Sequence, residues 1–472
     1  MKRIATIIGI VLVLIVAAAA ALPFWFGMET EKAYKNIVQE LSSGTAISTQ
    51  RYERGWLSSS AETDMAILGS PLTVSMVHRI SHGPVAIHRI LGGDFALTPA
   101  MAFVDSELRL APKKGSGTPQ LMAFTRAMAA LNARTIVDFT GNVEATLEAP
   151  PARSKEKTGT ALNFRGLSST IRVHDRGQRV DMELRVPGLS LTSDRGDFSL
   201  KNLIYRFNSS AGMAGYMFGN STLQLAELSA GPGFALKGLR LTTRSKPSGA
   251  NLSATVDYRV QAIKSGTDEH GPGELSLVLR NLDAKALQRF NQQSNQIAKR
   301  NLPQQQASMM AAAETMKLIA ALSKKAPELE MTKLSFKTKE GELTGNAKLV
   351  LDGSNLDIAG NPFLALRALS GQGELSIPPS MVKAILTPAI MEDVKGFERT
   401  GKLSSREAAK LTPTVMNRIV DQAYPTYISR NSFTKMLVRS GPVYRISVSF
   451  NNGELRVNGK PLQQPLLRMS AS

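Results

Sequence analysis

Hydroxyl and amine groups with the spacing of an acyl-transfer enzyme occur three times in the chain. Ser154/Lys157, Ser380/Lys383 and Ser432/Lys435 each read Ser-x-x-Lys. In Ser–Lys acyl enzymes the serine opens a helix, and the lysine one turn later can take its proton. Ser380 sits where a helix is predicted to begin. Lys157-Thr158-Gly159 supplies the Lys-Thr-Gly of that group, but it precedes Ser380 and no Ser-Asp-Asn lies between. A chain of 472 residues rich in Ser and Lys yields such tetrapeptides by chance, and these are read that way.

Of the five histidines, His78, His82 and His88 lie close together. On a helix, His78 and His82 would share a face. Their surroundings alternate with a period of two, which is strand spacing and would separate them by about 13 Å. One zinc ion needs its nitrogens within about 2.1 Å, so no metal site is assigned. His82, before Gly83-Pro84, reads as a hydrogen-bonded turn residue. In "RYERGWLSSS", Arg51 to Ser60, Tyr52, Arg54 and Trp56 fall on one strand face, an arrangement suited to a cation–π stack. The serines that follow have no base nearby in sequence, so this stretch reads as a packing knot rather than a nucleophile site. Nucleotide-binding loops, dinucleotide fingerprints, Gly-x-Ser-x-Gly and His-Glu-x-x-His motifs are absent. No catalytic residue, metal or cofactor is assigned.

The elements that hold these residues follow from composition and period. The chain is long enough for two or three structural units. It has no cysteine, which excludes disulfides, thiolate metal sites and cysteine nucleophiles. Its formal net charge is +19, but the Lys and Arg are spread along the chain without a dense run. They read as solvated faces rather than a nucleic-acid surface.

Residues Ile4 to Phe26 form an uncharged apolar run behind Lys2 and Arg3. This predicts a membrane anchor over 1–27, with the rest exported; a cleavable signal peptide ending near Ala17–Ala21 is the alternative. Pro23, Phe24 and Trp25 fit an interfacial belt. Residues 28–45 read as a stalk helix. From Ala46 the period becomes two. The predicted units are a β-rich domain over 46–235 with a helix near 119–132, a β-meander with helices over 236–330, and a second over 331–472 that ends in a hairpin at Asn452-Gly453. A capping box is read at Ser404–Glu407. "GPGELSLVLRNLDAKALQRF" from Gly271 and "GQGELSIPPSMVKAILTPA" from Gly371 read alike, suggesting a duplicated unit. The fold class expected is α+β and β-rich: an N-terminal transmembrane helix, then extended antiparallel meanders with helical insertions.

Three stretches in this order resemble the YdgA-like bacterial proteins. These are "RYERGWLSSSAET" after the anchor, "HRISHGPVAI" at 78–87 and "NNGELRVNGKPL" at 451–462. The matching residues are Tyr52, Arg54, Gly55, Trp56, Ser58, Ser59, His78, His82, Gly83, Pro84, Asn458, Gly459 and Pro461. The resemblance implies an inner-membrane and periplasmic address and no assigned activity. It defines no catalytic residues, and the matched ones are read as structural. The expected function is a non-enzymatic, membrane-anchored envelope protein that binds another envelope component. A lipid-binding module with an apolar β-groove and a hydrolase of envelope polymers are the alternatives. The partners expected are the inner membrane and a lipid or another envelope protein, with no nucleic acid.

Overall fold

The computed structural model describes residues 22–32, 34–35, 45–67, 70–84, 99–113, 115–128, 131–156, 159–194, 196–213, 216–300, 302–358, 360–361, 363–399 and 412–462. The chain forms two compact units, residues 1–239 with 292–307 and residues 240–291 with 308–472. Both are β-rich, with antiparallel sheets and a few helices, as the alternating pattern predicts.

Unit 1 is a long antiparallel meander. Its strands are β1 (Thr45–Arg54), β2 (Ser58–Ile67), β3 (Leu72–His82), β4 (Ala102–Pro112), β5 (Leu131–Val137), β6 (Val143–Ala149), β7 (Ala152–Lys155), β8 (Ala161–Phe164), β9 (Leu167–His174), β10 (Arg179–Thr192), β11 (Phe198–Ala211) and β12 (Met217–Ala230). Successive strands pair from β1 to β6, β6 pairs with β9, and β9 to β12 continue the meander. The short β7–β8 hairpin joins the far end of β10.

Alternation gives this sheet two unlike faces. One carries cross-strand ion pairs: Arg79–Glu107, Arg134–Asp105, Arg172–Glu144 and Arg206–Glu183, at 3.3–3.4 Å. Exposed pairs of this kind contribute only about 0.2–1 kcal/mol each. They show how a chain of +19 disperses its charge among acids. The other face is apolar and needs cover. A helix α1, seen at 22–32 and 34–35, lies on β1–β3. Helix α2 (Pro119–Ala127) starts at Thr118, whose hydroxyl caps the Leu121 amide, with Pro119 at the first position. It sets Phe124, with Met128 just past its end, against Leu131, Leu162 and Phe164. The predicted helix near 119–132 ends earlier than expected because Leu131 already pairs in β5.

Unit 2 takes up the chain within β13 (Phe234–Ser248). It continues through β14 (Asn251–Val260), the small hairpin β15 (Ala262–Ser265) and β16 (Asp268–His270), and β17 (Gly273–Asp283). Then come β18 (Glu328–Thr338), β19 (Gly341–Leu351), β20 (Leu369–Ile377), β21 (Val438–Ser440), β22 (Val443–Asn451), β23 (Glu454–Val457) and β24 (Lys460–Pro461). The order of pairing is β13–β14–β17–β18–β19–β20–β22–β23–β24. Helix α3 (Ala284–Lys299) begins at Asp283, which accepts from the Ala286 amide at 2.9 Å, and from Gln292 its residues belong to unit 1, as do those up to Ala307. Helix α4 (Gln304–Ser323) follows, and the short α5 (Leu364–Ala368) precedes β20. Two longer helices, α6 (Pro379–Arg399) and α7 (Pro413–Arg430), bury Ile377, Val382, Leu386, Ile390 and Val420 against Leu375 and Tyr444. The two stretches that read alike in sequence take the same place in the element order: β17 then α3, and β20 then α6. At Asn452-Gly453 both residues have positive φ, as the two-residue hairpin turn requires.

Most of the predicted 1–27 anchor, residues 1–21, lies outside the described residues, as does the Ser404–Glu407 capping box. No helix among the described residues is long and apolar enough to cross a membrane. The predicted boundary between the 1–27 anchor and the 28–45 stalk falls inside a helix seen at 22–32. The helix is present from Leu22, buries Pro23, Phe26 and Thr30, and is laid onto the sheet rather than standing off it.

Leu386 is 3% exposed inside the α6–α7 core, whereas Met309 on α4 is 69% exposed. Leu386→Ala is expected to cost about 2–5 kcal/mol of stability and Met309→Ala no more than about 0.5 kcal/mol, read by chemical denaturation of the full chain.

Candidate functional site

The sequence motifs 52–59 and 78–84 meet beneath α1. Strand β3 lies between β2 and β4, so its inward histidines reach a serine on each side. His82 Nε2 is 2.8 Å from Ser59 Oγ, and His78 Nδ1 is 2.7 Å from Ser106 Oγ. His82 Nδ1 lies 3.0 Å from the Trp56 carbonyl oxygen. That oxygen can only accept, so Nδ1 carries the proton and Nε2 accepts from the Ser59 hydroxyl.

This is a serine–histidine pair that the sequence reading missed, since 23 residues separate the partners. The opposed register of β2 and β3, with Ser58 across from Ser81, is what closes the gap. Its chemistry is nonetheless structural. In a catalytic triad the outer imidazole nitrogen meets a carboxylate; here it meets a carbonyl. Ser59 and His82 are 4% and 1% exposed. Gly27 of α1 closes the site from above: a Cβ there would lie 2.4 Å from His82 Cε1.

Around this pair α1 is fastened by rings and hydroxyls. Thr30 Oγ1 donates within the helix to the Phe26 and Gly27 carbonyls and lies 3.4 Å from the Tyr52 hydroxyl. Tyr34 bonds the Thr63 hydroxyl and donates to the Glu62 carbonyl. Its ring packs on Tyr52 at 5.4 Å and edge-on to His78 at 5.9 Å. The expected cation–π stack exists but with a different ring. Arg54 lies over Phe24, 5.0 Å from its centroid, and reaches Glu31 at 3.0 Å. Trp56 packs on Phe24 at 5.1 Å from the turn that follows β1. Arg54 and Trp56 thus grip one helix ring, because Gly55 ends the strand and turns Trp56 away from the β1 face. Phe26 meets Phe139 at 5.6 Å. Phe139 is held at the tip of the β5–β6 turn, where the Asp138 carboxylate accepts from the Thr140 and Asn142 amides at 2.8 Å. Those bonds, led by the Thr140 hydroxyl, pull Asp138 down to about 2.

Gly83 and Pro84 continue from β3, where the Gly83 amide donates to Met101 and the Pro84 carbonyl accepts from Ala100. His88 lies outside the described residues. The third motif is in unit 2. Asn458 and Gly459 form the positive-φ turn from β23 to β24, and Pro461 pairs with Arg456 at its edge. Asn458 accepts from the Ser447 amide at 2.9 Å and donates to the Met436 carbonyl at 2.6 Å. The motif residues therefore occupy two places rather than one site.

Of the Ser-x-x-Lys candidates, Ser380/Lys383 does not assemble. Ser380 donates to the Glu340 carbonyl, and Lys383 pairs with Asp421 across α6 and α7. Ser432 is exposed in the turn after α7, and Lys157 lies outside the described residues. Among the described residues no group of three His, Asp or Glu is placed to hold a metal ion.

Unit 2 holds a second feature of interest. Register places Tyr258, Leu275 and Leu334 side by side, and likewise Leu329, Leu349, Gly371 and Phe450. The helices cover the ends of this apolar face, but Tyr258, Leu329, Leu349 and Val448 remain 37–41% exposed. Met309 sits on the exposed first half of α4, while Ile319 and Ala320 pack against Ile358.

A family model described as a bacterial protein of unknown function, DUF945, matches residues 1–465. The chain belongs to that family. The description does not carry the YdgA-like name. No curated protein and no solved structure matches the chain. Membership in DUF945 thus leaves function to be argued from geometry.

Two outcomes test the α1 dock. Gly27→Ala is expected to destabilise the chain by about 1–3 kcal/mol, because the added methyl must displace the His82 ring, as read by thermal unfolding. The second concerns pH. Burial holds His78 below its ordinary value of 6.5, so in the pH range below 6.5 the unfolded chain takes up a proton that the folded chain resists. Stability is therefore full above pH 6.5 and falls as pH drops below it. His78→Gln should flatten that dependence in denaturation midpoints measured from pH 7.5 to 5.

Proposed function

We propose that the chain is a non-enzymatic envelope protein of the YdgA-like kind. In this reading it is anchored in the bacterial inner membrane by residues 4–21, with its two units in the periplasm, where unit 2 binds another envelope component. The observation that carries this reading is the uncovered apolar stretch of unit 2, with Tyr258, Leu329, Leu349 and Val448 at 37–41% exposure on one sheet face. A soluble unit that needed only its own stability would cover such a face with helix or close it against a second sheet. Lipid acyl chains suit it best. They need an apolar surface and no base-specific or charged contacts, and an anchored chain is never far from them. The shared element order of β17–α3 and β20–α6 supports a duplicated unit as the origin of the wide face.

A hydrolase has less support. Ser59 is buried under α1, Ser380 donates to the Glu340 carbonyl, Ser154 is buried in β7 and Ser432 stands exposed in a turn, and depressions on the sheets are open and polar. One of about 690 Å³ is lined by Lys348, Gln372, Ser449 and Arg456.

Native mass spectrometry of the full chain extracted in mild detergent tests the proposal. Bound phospholipid at near-stoichiometric amount is expected for the wild type and should be lost in Leu349→Glu combined with Val448→Glu, with circular dichroism unchanged. A wild-type chain carrying no lipid would overturn the lipid reading and turn attention to a protein partner for the same face.

A further inference from the structure

Strand register brings the β1–β2 turn (55–57), the β5–β6 turn (138–142), the β9–β10 turn (175–178) and the facing ends of β11 and β12 to one end of unit 1. The start of α1 lies there too, because Phe24 meets Trp56 and Phe26 meets Phe139. Three large rings are outward at this end: Trp25 is 50% exposed, Trp56 56% and Phe139 50%. Leu22 at the described start of α1 is exposed as well, and Arg176 is exposed at the tip of the β9–β10 turn. The rings come from three separate parts of the sequence, and each packs on a ring of α1: Trp25 on Phe26 at 5.1 Å, Trp56 on Phe24 at 5.1 Å and Phe139 on Phe26 at 5.6 Å.

What lies just before this end decides its partner. Ile4 to Ala21 is an uncharged apolar run of 18 residues. As a helix it would cover about 27 Å, close to a hydrocarbon core of about 30 Å. Pro23, Phe26 and Gly27 are buried in the unit, which leaves no linker between the apolar run and the sheet. The body must therefore meet whatever surface that run enters, and it meets it with tryptophan and phenylalanine. These are the side chains that settle at head-group depth, where one part of the ring is wet and the rest apolar.

We propose that this end of unit 1 is a membrane-seating collar, with Trp25, Trp56 and Phe139 inserted at the head-group level of the bilayer and Arg176 available to anionic head groups. The proposal rests on the anchored reading above. It goes beyond that reading in assigning a face of the folded unit, and not only a tail, to the membrane.

The chain's two tryptophans, Trp25 and Trp56, both belong to the collar, so their fluorescence reads it directly. Full-length Trp25→Phe, which leaves Trp56 as sole reporter, would be reconstituted into phosphatidylethanolamine–phosphatidylglycerol liposomes with bromines at shallow or deep acyl positions. The expected result is loss of Trp56 emission, stronger with shallow bromines, and a matching pattern for Trp25 in Trp56→Phe. Trp56 is the discriminating residue, since it is 30 or more positions from the apolar run. A chain that floats with the liposomes but keeps its Trp56 emission would overturn the collar and leave the anchor standing. A chain that does not float at all would remove the anchored reading, and the collar with it.

Discussion

A long antiparallel sheet has one apolar face, and hiding that face is the constraint on which both units depend. Each strand presents a side chain to each face in turn, so in Leu72–His82 the residues Leu72, Val74, Met76 and Ile80 share one face while Thr73, Ser75 and Arg79 share the other. The outer face of unit 1 resolves its charges strand to strand, as in Arg134–Asp105 and Arg172–Glu144. Those pairs do little for stability, but they stop like charges from facing one another across the ladder. The inner face has no such local solution and must recruit elements from elsewhere in the chain. Helix α1 covers β1–β3, α2 covers the β4–β10 region, and in unit 2 α6 and α7 cover β19, β20 and β22. Where cover runs out, along Leu329, Leu349 and Val448, a ligand or partner has room to take the place of a helix.

Polar groups trapped under the α1 cover had to be paired, and that accounts for much of the N-terminal motif. Once Gly27 is set on His82, water is excluded and an unmatched imidazole would be costly. Ser59 and the Trp56 carbonyl meet both of its nitrogens. The same logic places Ser106 on His78 and Thr63 on Tyr34. A serine beside a histidine is thus no sign of a nucleophile here. Burial that removes water also removes substrate, and the role left to the pair is to fix which way the ring points beneath the helix.

Local chemistry made a good part of this legible from sequence. Asn452-Gly453 reads as a turn because both residues tolerate positive φ, Thr118-Pro119 reads as a helix start because a hydroxyl and a fixed φ are what a first turn needs, and Asp283 caps α3 for the same reason. Alternation gave the strands. What stayed hidden was long-range pairing. Arg54 lies over Phe24 and not over its strand neighbours, since the helix face that arrives above it is set by the packing of Phe26 and Gly27 and not by spacing within 52–56. Phe139 carries no local signal at all. Its role appears only once register brings distant turns to one end. The end of α2 was misjudged because helical spacing continues past Ala127, and tertiary pairing of Leu131 in β5 wins over it.

The absence of slack between the apolar run and the sheet has a mechanical consequence. A flexible linker would let a tethered domain sample all orientations above a membrane. Here the chain enters α1 by Leu22 and is locked by Phe24, Phe26, Thr30 and Tyr34 within four turns. Tilting unit 1 away from that axis would require breaking the Arg54–Glu31 contact, the Tyr34–Tyr52 stack and the closed His82 site together. In the anchored reading proposed above, a joint of this kind would fix the orientation of unit 1 as well as its address.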